Sequence, residues 1–199
     1  MEIKLVFAVV STLLSAVGMI PYIVGMIRGK THPHVYTWLI WTLSVGTAAL
    51  GAWIGGGEYG ALALSIGFGM TFVIFIFSLF YGTKNITRSD TIALIGALIA
   101  IGIWWLFNNP YIALALVTII DAIGYIPSMR KSLVEPWSEP ISTWTLFTLA
   151  PLFTIASLSS YNFLTLTYVG MTVIANVLLL GIIYFKRQSI PRPVAKFLN

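Results

Sequence analysis

The chain has 199 residues, of which 58% are apolar and 9% charged, against roughly 25% charged in an ordinary soluble domain. That balance excludes a soluble globular protein, and the absence of cysteine excludes a disulfide scaffold, a thiolate metal site and a cysteine nucleophile. The formal net charge of +5 points to no nucleic-acid partner, because basic residues gathered in the loops of a membrane protein have a simpler cause in the positive-inside rule.

Apolar runs between charged or turn-rich breaks predict seven helices, in chain order 3–28, 35–55, 61–82, 91–107, 111–133, 141–160 and 163–185. A helix of about 20 apolar residues crosses the hydrocarbon core. The breaks between the runs are short, so neighbouring spans form antiparallel hairpins, and lipid-facing backbone is helical because nothing else satisfies its hydrogen bonds there. The expected fold class is an all-α membrane protein with seven transmembrane helices.

Seven spans place alternate loops on opposite sides. Lys4 lies alone on the N-terminal side, and the other ten basic residues, from Arg28 to Lys196, lie on the other. The positive-inside rule then puts the N-terminus outside and the C-terminus in the cytoplasm, with the plasma membrane as the expected location. One lysine before an apolar run is also how a signal peptide begins, but the recurrence of this first run later in the chain argues against cleavage. Asn85-Ile86-Thr87 fits the glycosylation pattern, yet it falls on the cytoplasmic side and is read as chance.

Shifting the chain by 106 positions aligns Thr12 with Thr118, Gly18 with Gly124, Ile20 with Ile126 and Pro21 with Pro127, then Thr37-Trp38 with Thr143-Trp144 and Thr42-Leu43 with Thr148-Leu149. Matched Pro, Gly and Trp at one ungapped offset are much rarer by accident than matched Leu or Ile, so the chain contains an internal repeat. It divides into a first triple-helix bundle (1–82), a linker helix (83–110), a second triple-helix bundle (111–185) and a basic tail (186–199). An odd linker restores the starting side. The two bundles of this 3+1+3 plan are therefore parallel, related by an axis along the membrane normal.

This plan, with a helix-interrupting Pro late in the first helix of each half and a basic cytoplasmic loop after it, resembles the SWEET and PQ-loop family of seven-helix transporters over the whole chain. The family's Pro-Gln pair stands here as Pro21-Tyr22 and Pro127-Ser128, without Gln in either half. The basic residue and hydroxyl that follow stand as Lys30-Thr31 and, displaced, as Lys131-Ser132. The resemblance implies alternating access gated at the prolines, and a substrate-binding Asn in the last helix of a half, a place that Asn176 takes. Met70, near Gly67 and Gly69, stands where the first half would carry its counterpart.

Asp121 is the one ionisable residue well inside a span, where a charge costs at least ~2.5–3.5 kcal/mol and marks function by default. Burial with no Lys or Arg in any neighbouring span favours the protonated carboxyl, suited to carrying a coupling proton or to binding an amine or hydroxyl. The blander reading is a protonated Asp bonded to Thr118, Tyr125 or a neighbouring helix. Thr12, Ser15, Gly18 and Pro21 advance in threes along one helix face, and the shift maps them onto Thr118, Asp121, Gly124 and Pro127. That face suits a cavity wall with a hinge at Gly18, Pro21, Gly124 and Pro127; it equally suits close helix packing or a static bend.

Asn176, Thr42 and Thr148 complete the expected substrate site, the alternative for Asn176 being an interhelical hydrogen bond. Trp38 and Trp144, with Trp41, offer a stacking surface for a ring, although Trp near a loop is more commonly an interfacial anchor, as Trp104 and Trp105 are expected to be. His32 and His34 flank Pro33; an H-x-H pair alone is a weak metal signal, so no metal or cofactor is expected.

No motif of an enzyme is present, neither H-E-x-x-H nor G-x-S-x-G nor a phosphate-binding glycine loop. A retinal pigment needs a mid-membrane Lys, and the last helix has none before Lys186. A selective channel would show a ring of charges or a carbonyl filter. The sequence therefore predicts a carrier for a small polar solute such as a sugar or amino acid, proton-linked through Asp121. The alternative is a receptor or trafficking protein on the same fold, as the KDEL-receptor branch of that resemblance implies. The expected partners are the solute and lipid, and the sequence leaves a second copy of the chain open.

Overall fold

A computed structural model describes residues 3–28, 35–82, 88–107, 109–134 and 136–191. His32, His34, Lys30-Thr31, Asn85-Ile86-Thr87 and the tail from Arg192 lie outside them, as do the side chains of Pro127, Lys131 and Trp105. The described residues form seven α-helices: α1 (Ile3–Ile27), α2 (Val35–Ile54), α3 (Tyr59–Tyr81), α4 (Arg88–Phe107), α5 (Pro110–Val134), α6 (Ile141–Ser157) and α7 (Phe163–Ser189). One turn of 3-10 helix, Pro136–Ser138, precedes α6, and no strand occurs among the described residues.

The molecule is thus an all-helical protein of membrane character. Four helices, α1, α2, α3 and α7, are long and apolar enough to cross a membrane, and Leu94–Trp104, Pro110–Tyr125 and Ile141–Ser157 are shorter apolar stretches. Large apolar side chains such as Leu13, Phe80, Ile92 and Phe185 point outward. In water this would be costly, while against lipid it is the expected arrangement.

The helix ends follow local chemistry. Asn109 accepts from the Tyr111 and Ile112 amides at 3.1 and 3.3 Å, and Pro110 opens α5 where its missing N–H costs nothing. Asn162 and Thr165 form a capping box at the start of α7. α2 stops at Ile54 because Gly55-Gly56-Gly57 follows, with Gly56 at φ +74°, a conformation open to glycine. At its far end α7 runs four residues past the predicted 185, since Lys186 and Arg187 in its last turn favour the helix dipole and mark a change of solvent rather than of backbone.

α3 lies against both α1 and α2, and α7 lies against both α5 and α6. Between these groups α1 pairs with α6 and α2 with α5, while α4 rests on α5 and α2. Apart from α4, the set of neighbours is preserved when each helix is exchanged for the one four places along. Two loops meet at one end of the bundle. Asn162 Nδ2 donates to the Gly55 carbonyl at 2.7 Å, Ser159 Oγ donates to Glu58 Oε2 at 2.6 Å, and Leu158 seats on Gly60. At the opposite end Arg187 donates to the Pro136 and Glu139 carbonyls at 3.1 and 2.7 Å and covers the Trp137 ring at 4.5 Å.

Candidate functional site

The α1/α6 and α2/α5 seams share one antiparallel register. In the first, Gly18 seats the Phe147 ring so closely that a Cβ there would come within 2.8 Å of it. In the second, 106 positions along for the glycine and 106 back for the aromatic, Gly124 seats Trp41, with the indole Nε1 3.2 Å from where a Cβ would stand. Trp41 and Phe147 are themselves each edge-on to the matched tryptophans Trp38 and Trp144, at 83° and 86°. Gly18 and Gly124, expected as hinge positions, are in this structure the seats of the two aromatic rings that cross the seams.

The polar contacts within that common frame differ between the seams. In α1/α6 the Ser11 hydroxyl donates to the Ala150 carbonyl at 2.8 Å and lies 2.7 Å from the Thr154 hydroxyl, a self-satisfied pair. The positions that correspond to Ser11 and Thr154 in α2/α5 are Val117 and Ala48, packed in an apolar cluster. One turn further along α5, where the first half has Ser15, stands Asp121.

Asp121 is 2% exposed and is the one residue of a charged type among the buried residues described. The Tyr168 hydroxyl of α7 reaches its Oδ1 at 3.4 Å. Ser44 of α2 lies beside the carboxyl, close enough to interact with it but without a hydrogen bond of good geometry. Thr118 Oγ1, one turn back on the same face of α5, is buried with no partner, as are Thr143 Oγ1 and Trp41 Nε1. Buried polar groups are paired in the great majority of cases. Three such groups with hydrogen-bonding capacity to spare belong to this seam: Ser44 beside Asp121, Thr118 one turn back along α5, and Trp41, seated on Gly124 three residues on.

Asn176, also 2% exposed, accepts from the Tyr125 hydroxyl at 3.1 Å and donates to the Phe147 carbonyl at 2.6 Å. Tyr125 stands between the two polar residues. Its ring lies 5.9 Å from that of Trp41 and 6.3 Å from that of Trp144, and it follows Asp121 by four residues on the same face of α5. An aromatic path therefore runs Tyr22, Trp38, Trp41, Tyr125, Trp144, Phe147, with centroid separations from 5.2 to 6.3 Å.

Trp38 and Trp144 are 4% and 8% exposed, so neither presents its ring to lipid as an interfacial anchor would. Both sit inside because their indole N–H groups have internal acceptors, the Tyr22 hydroxyl at 3.2 Å and Glu139 Oε2 at 3.0 Å. Thr42 and Thr148 are buried, and each hydroxyl donates back to the carbonyl of its own helix, Trp38 and Trp144 respectively, at 2.7 Å. They keep acceptor lone pairs but have no free proton to offer. Pro21 lies inside α1, and α5 continues past Pro127 to Val134.

The structure thus brings Asp121, Tyr125, Asn176, Trp144 and Trp38 into one connected polar and aromatic core. It adds Ser44, Tyr168 and Phe147, which sequence reasoning passed over. For Ser44 a signal existed: it follows Trp41 by three positions, the spacing of one helix face. For Tyr168 there was none, because its approach to Asp121 depends on how α7 lies against α5. Comparison of the chain with family models, with curated proteins and with solved structures gave no match.

Proposed function

We infer that the protein is a carrier for a small polar solute, of the SWEET and PQ-loop kind, working by alternating access. In this reading all seven helices span the membrane. The helices of 1–82 and 111–185 form two parallel triple-helix bundles joined by the linker helix of 83–110, with the N-terminus outside and the C-terminus in the cytoplasm of a plasma membrane. The bundles rock at Pro21 and Pro127, and the solute binds between them near Asp121, Asn176 and the aromatic path.

The observation that carries this is the contrast between the two seams. A protein that needed its halves only to adhere would satisfy the polar groups in both, as Ser11 and Thr154 do in one. The other holds a buried carboxyl with no basic residue among the buried side chains described, and the same pair of helices carries three buried polar groups without partners, Ser44, Thr118 and Trp41. Such an arrangement costs stability, and a ligand or proton that completes it accounts for its presence. Basic residues on one side and the union of two loops at the other end fit a molecule closed outward.

The test is uptake of labelled sugars, amino acids and vitamins into liposomes containing the purified chain, with and without a pH gradient. Accumulation of one solute class that a gradient enhances is the expected result. No accumulation of any compound removes the carrier reading, and gradient-driven uptake that is unchanged in Asp121→Asn removes the role of Asp121 in proton coupling.

A further inference from the structure

The geometry points to an organic cation as the solute, a compact ammonium compound that also carries a hydrogen-bond acceptor and binds at the Asp121 carboxylate in exchange for a proton. This rests on the carrier reading above and narrows it to a substrate class and a stoichiometry.

Charge balance comes first. Asp121 is 2% exposed and has no cationic side chain among the buried residues described, and a carboxylate cannot remain ionised and alone at such a place. One positive charge neutralises it, either a proton on the carboxyl or a cation beside it. Both together leave the site positive, and neither leaves it negative. Binding of the cation therefore coincides with loss of the proton from the carboxyl oxygen to water on whichever side the site is open. One charge enters as one leaves, and the exchange is electroneutral.

The groups near Asp121 come from α5 itself and from two of the helices packed on it, α7 and α2. Tyr168 of α7 reaches the carboxyl at 3.4 Å and Ser44 of α2 lies beside it; Thr118 and Tyr125 stand one turn back and one turn on along α5, and Trp41 of α2 sits on Gly124, three residues from Asp121. α4 packs on α5 through Gly96 against Ile120, and its ionisable residues, Arg88 and Asp90, stand at its start. Arg88 lies eight residues from Gly96, about 12 Å along the helix axis.

The neighbouring side chains select the class of ligand. Tyr125 and Tyr168 stand beside the carboxyl, and Trp41 lies 5.9 Å from Tyr125 between ring centroids. Aromatic faces attract a desolvated ammonium. Ser44 and Thr118 can accept from an N–H donor or leave a methylated one to the rings. The Trp41 indole N–H has no acceptor and can only donate, so it calls for a hydroxyl or carbonyl on the same ligand. These few groups do not match the many hydroxyls of a sugar.

Choline is the probe, since it has a fixed charge, a hydroxyl acceptor and no uncharged form that leaks through lipid. The full-length chain is placed in liposomes with a pH-sensitive dye inside. Choline added outside should enter, the lumen should become alkaline, and clamping the membrane potential should not alter the rate. Asp121→Asn should abolish both signals, with Asp121→Glu and elution as a single species from a sizing column showing that the fold survives. Trp41→Phe keeps a ring and removes the N–H, so the ratio of choline to tetramethylammonium uptake should fall roughly 2- to 10-fold, the worth of one hydrogen bond. Choline entry without alkalinisation overturns the exchange. Glucose or neutral amino acid uptake without choline uptake overturns the cation assignment while the carrier stands, and no flux of any probe overturns both.

Discussion

Asn176 donates a 2.6 Å hydrogen bond to the carbonyl of Phe147, and that carbonyl belongs to the residue four places before Pro151. In an uninterrupted helix the amide of residue 151 would bond it, but proline has no N–H to give. α6 nevertheless continues through Pro151 to Ser157. A side chain from α7 thus supplies the donor that α6 lacks, and the same side chain holds the Tyr125 hydroxyl in place beside Asp121.

A double-mutant cycle measures this substitution of donor. Asn176→Ala strands the Phe147 carbonyl and the Tyr125 hydroxyl and should lower stability by about 1–3 kcal/mol, seen as a lower Tm in detergent. Restoring the backbone donor with Pro151→Ala should shrink that penalty by about 1 kcal/mol or more. Equal penalties in both backgrounds would mean that the two residues act separately.

The glycine seats predict a ranking. Alanine in a helix is better than glycine by roughly 0.5–1 kcal/mol, but at Gly18 its Cβ would press within 2.8 Å of the Phe147 ring, and overpacking costs about 1–3 kcal/mol. Gly18→Ala should therefore destabilise, and Gly124→Ala, facing Trp41 at 3.2 Å, should do so less. Gly69→Ala and Gly102→Ala meet nothing within 4 Å and should leave Tm unchanged or raise it. Thermal unfolding of the four variants, with Phe147→Leu added to Gly18→Ala as the relief of the clash, checks the order.

The joined loops can be locked. A Cβ at Gly56 would lie 3.7 Å from that of Ser160, within the roughly 3.5–4.5 Å that a disulfide spans. Because the natural chain has no cysteine, Gly56→Cys with Ser160→Cys should give one defined crosslink, despite about 1–3 kcal/mol of strain from the left-handed backbone at Gly56. On the proposed carrier function, oxidation should arrest solute flux in liposomes and reduction should restore it. Flux through the fully oxidised protein would show that these loops do not need to part.

Orientation has its own measurement. In whole cells an impermeant maleimide should label Ser160→Cys, at the joined loops, and should label Ser189→Cys, at the end of α7, only after the cells are opened. The reverse pattern would turn the molecule over, and the ten basic residues would then mark the outer face.

The helices were legible because hydropathy changes where a chain passes between solvents, and all seven starts lie within three residues of those read from the sequence. Their ends were less so. α6 stops at Ser157, three residues before the apolar run gives out, where the Asn162 cap of α7 needs a turn before it, and α7 overruns its apolar segment because Lys186 and Arg187 extend a helix as readily as Leu does. Asp121 and Asn176 stood out as polar residues in apolar runs. Their partners did not. The use of Asn176 depends on a carbonyl in another helix, and the burial of Trp38 depends on an acceptor, Tyr22, sixteen residues earlier. The equivalence of Trp41 with Phe147 was also hidden, since the shift pairs two different residue types whose likeness lies in where they are seated.

The common register of the two seams makes their chemistry transferable. Ser15 of α1 and Asp121 of α5 occupy corresponding places, so Ser15→Asp combined with Asp121→Ser would move the acid to the other pairing of helices without altering which helix meets which. A chain built this way has a spare address for its charged group. One half can keep the joint sound while the other is free to acquire, lose or relocate the buried acid.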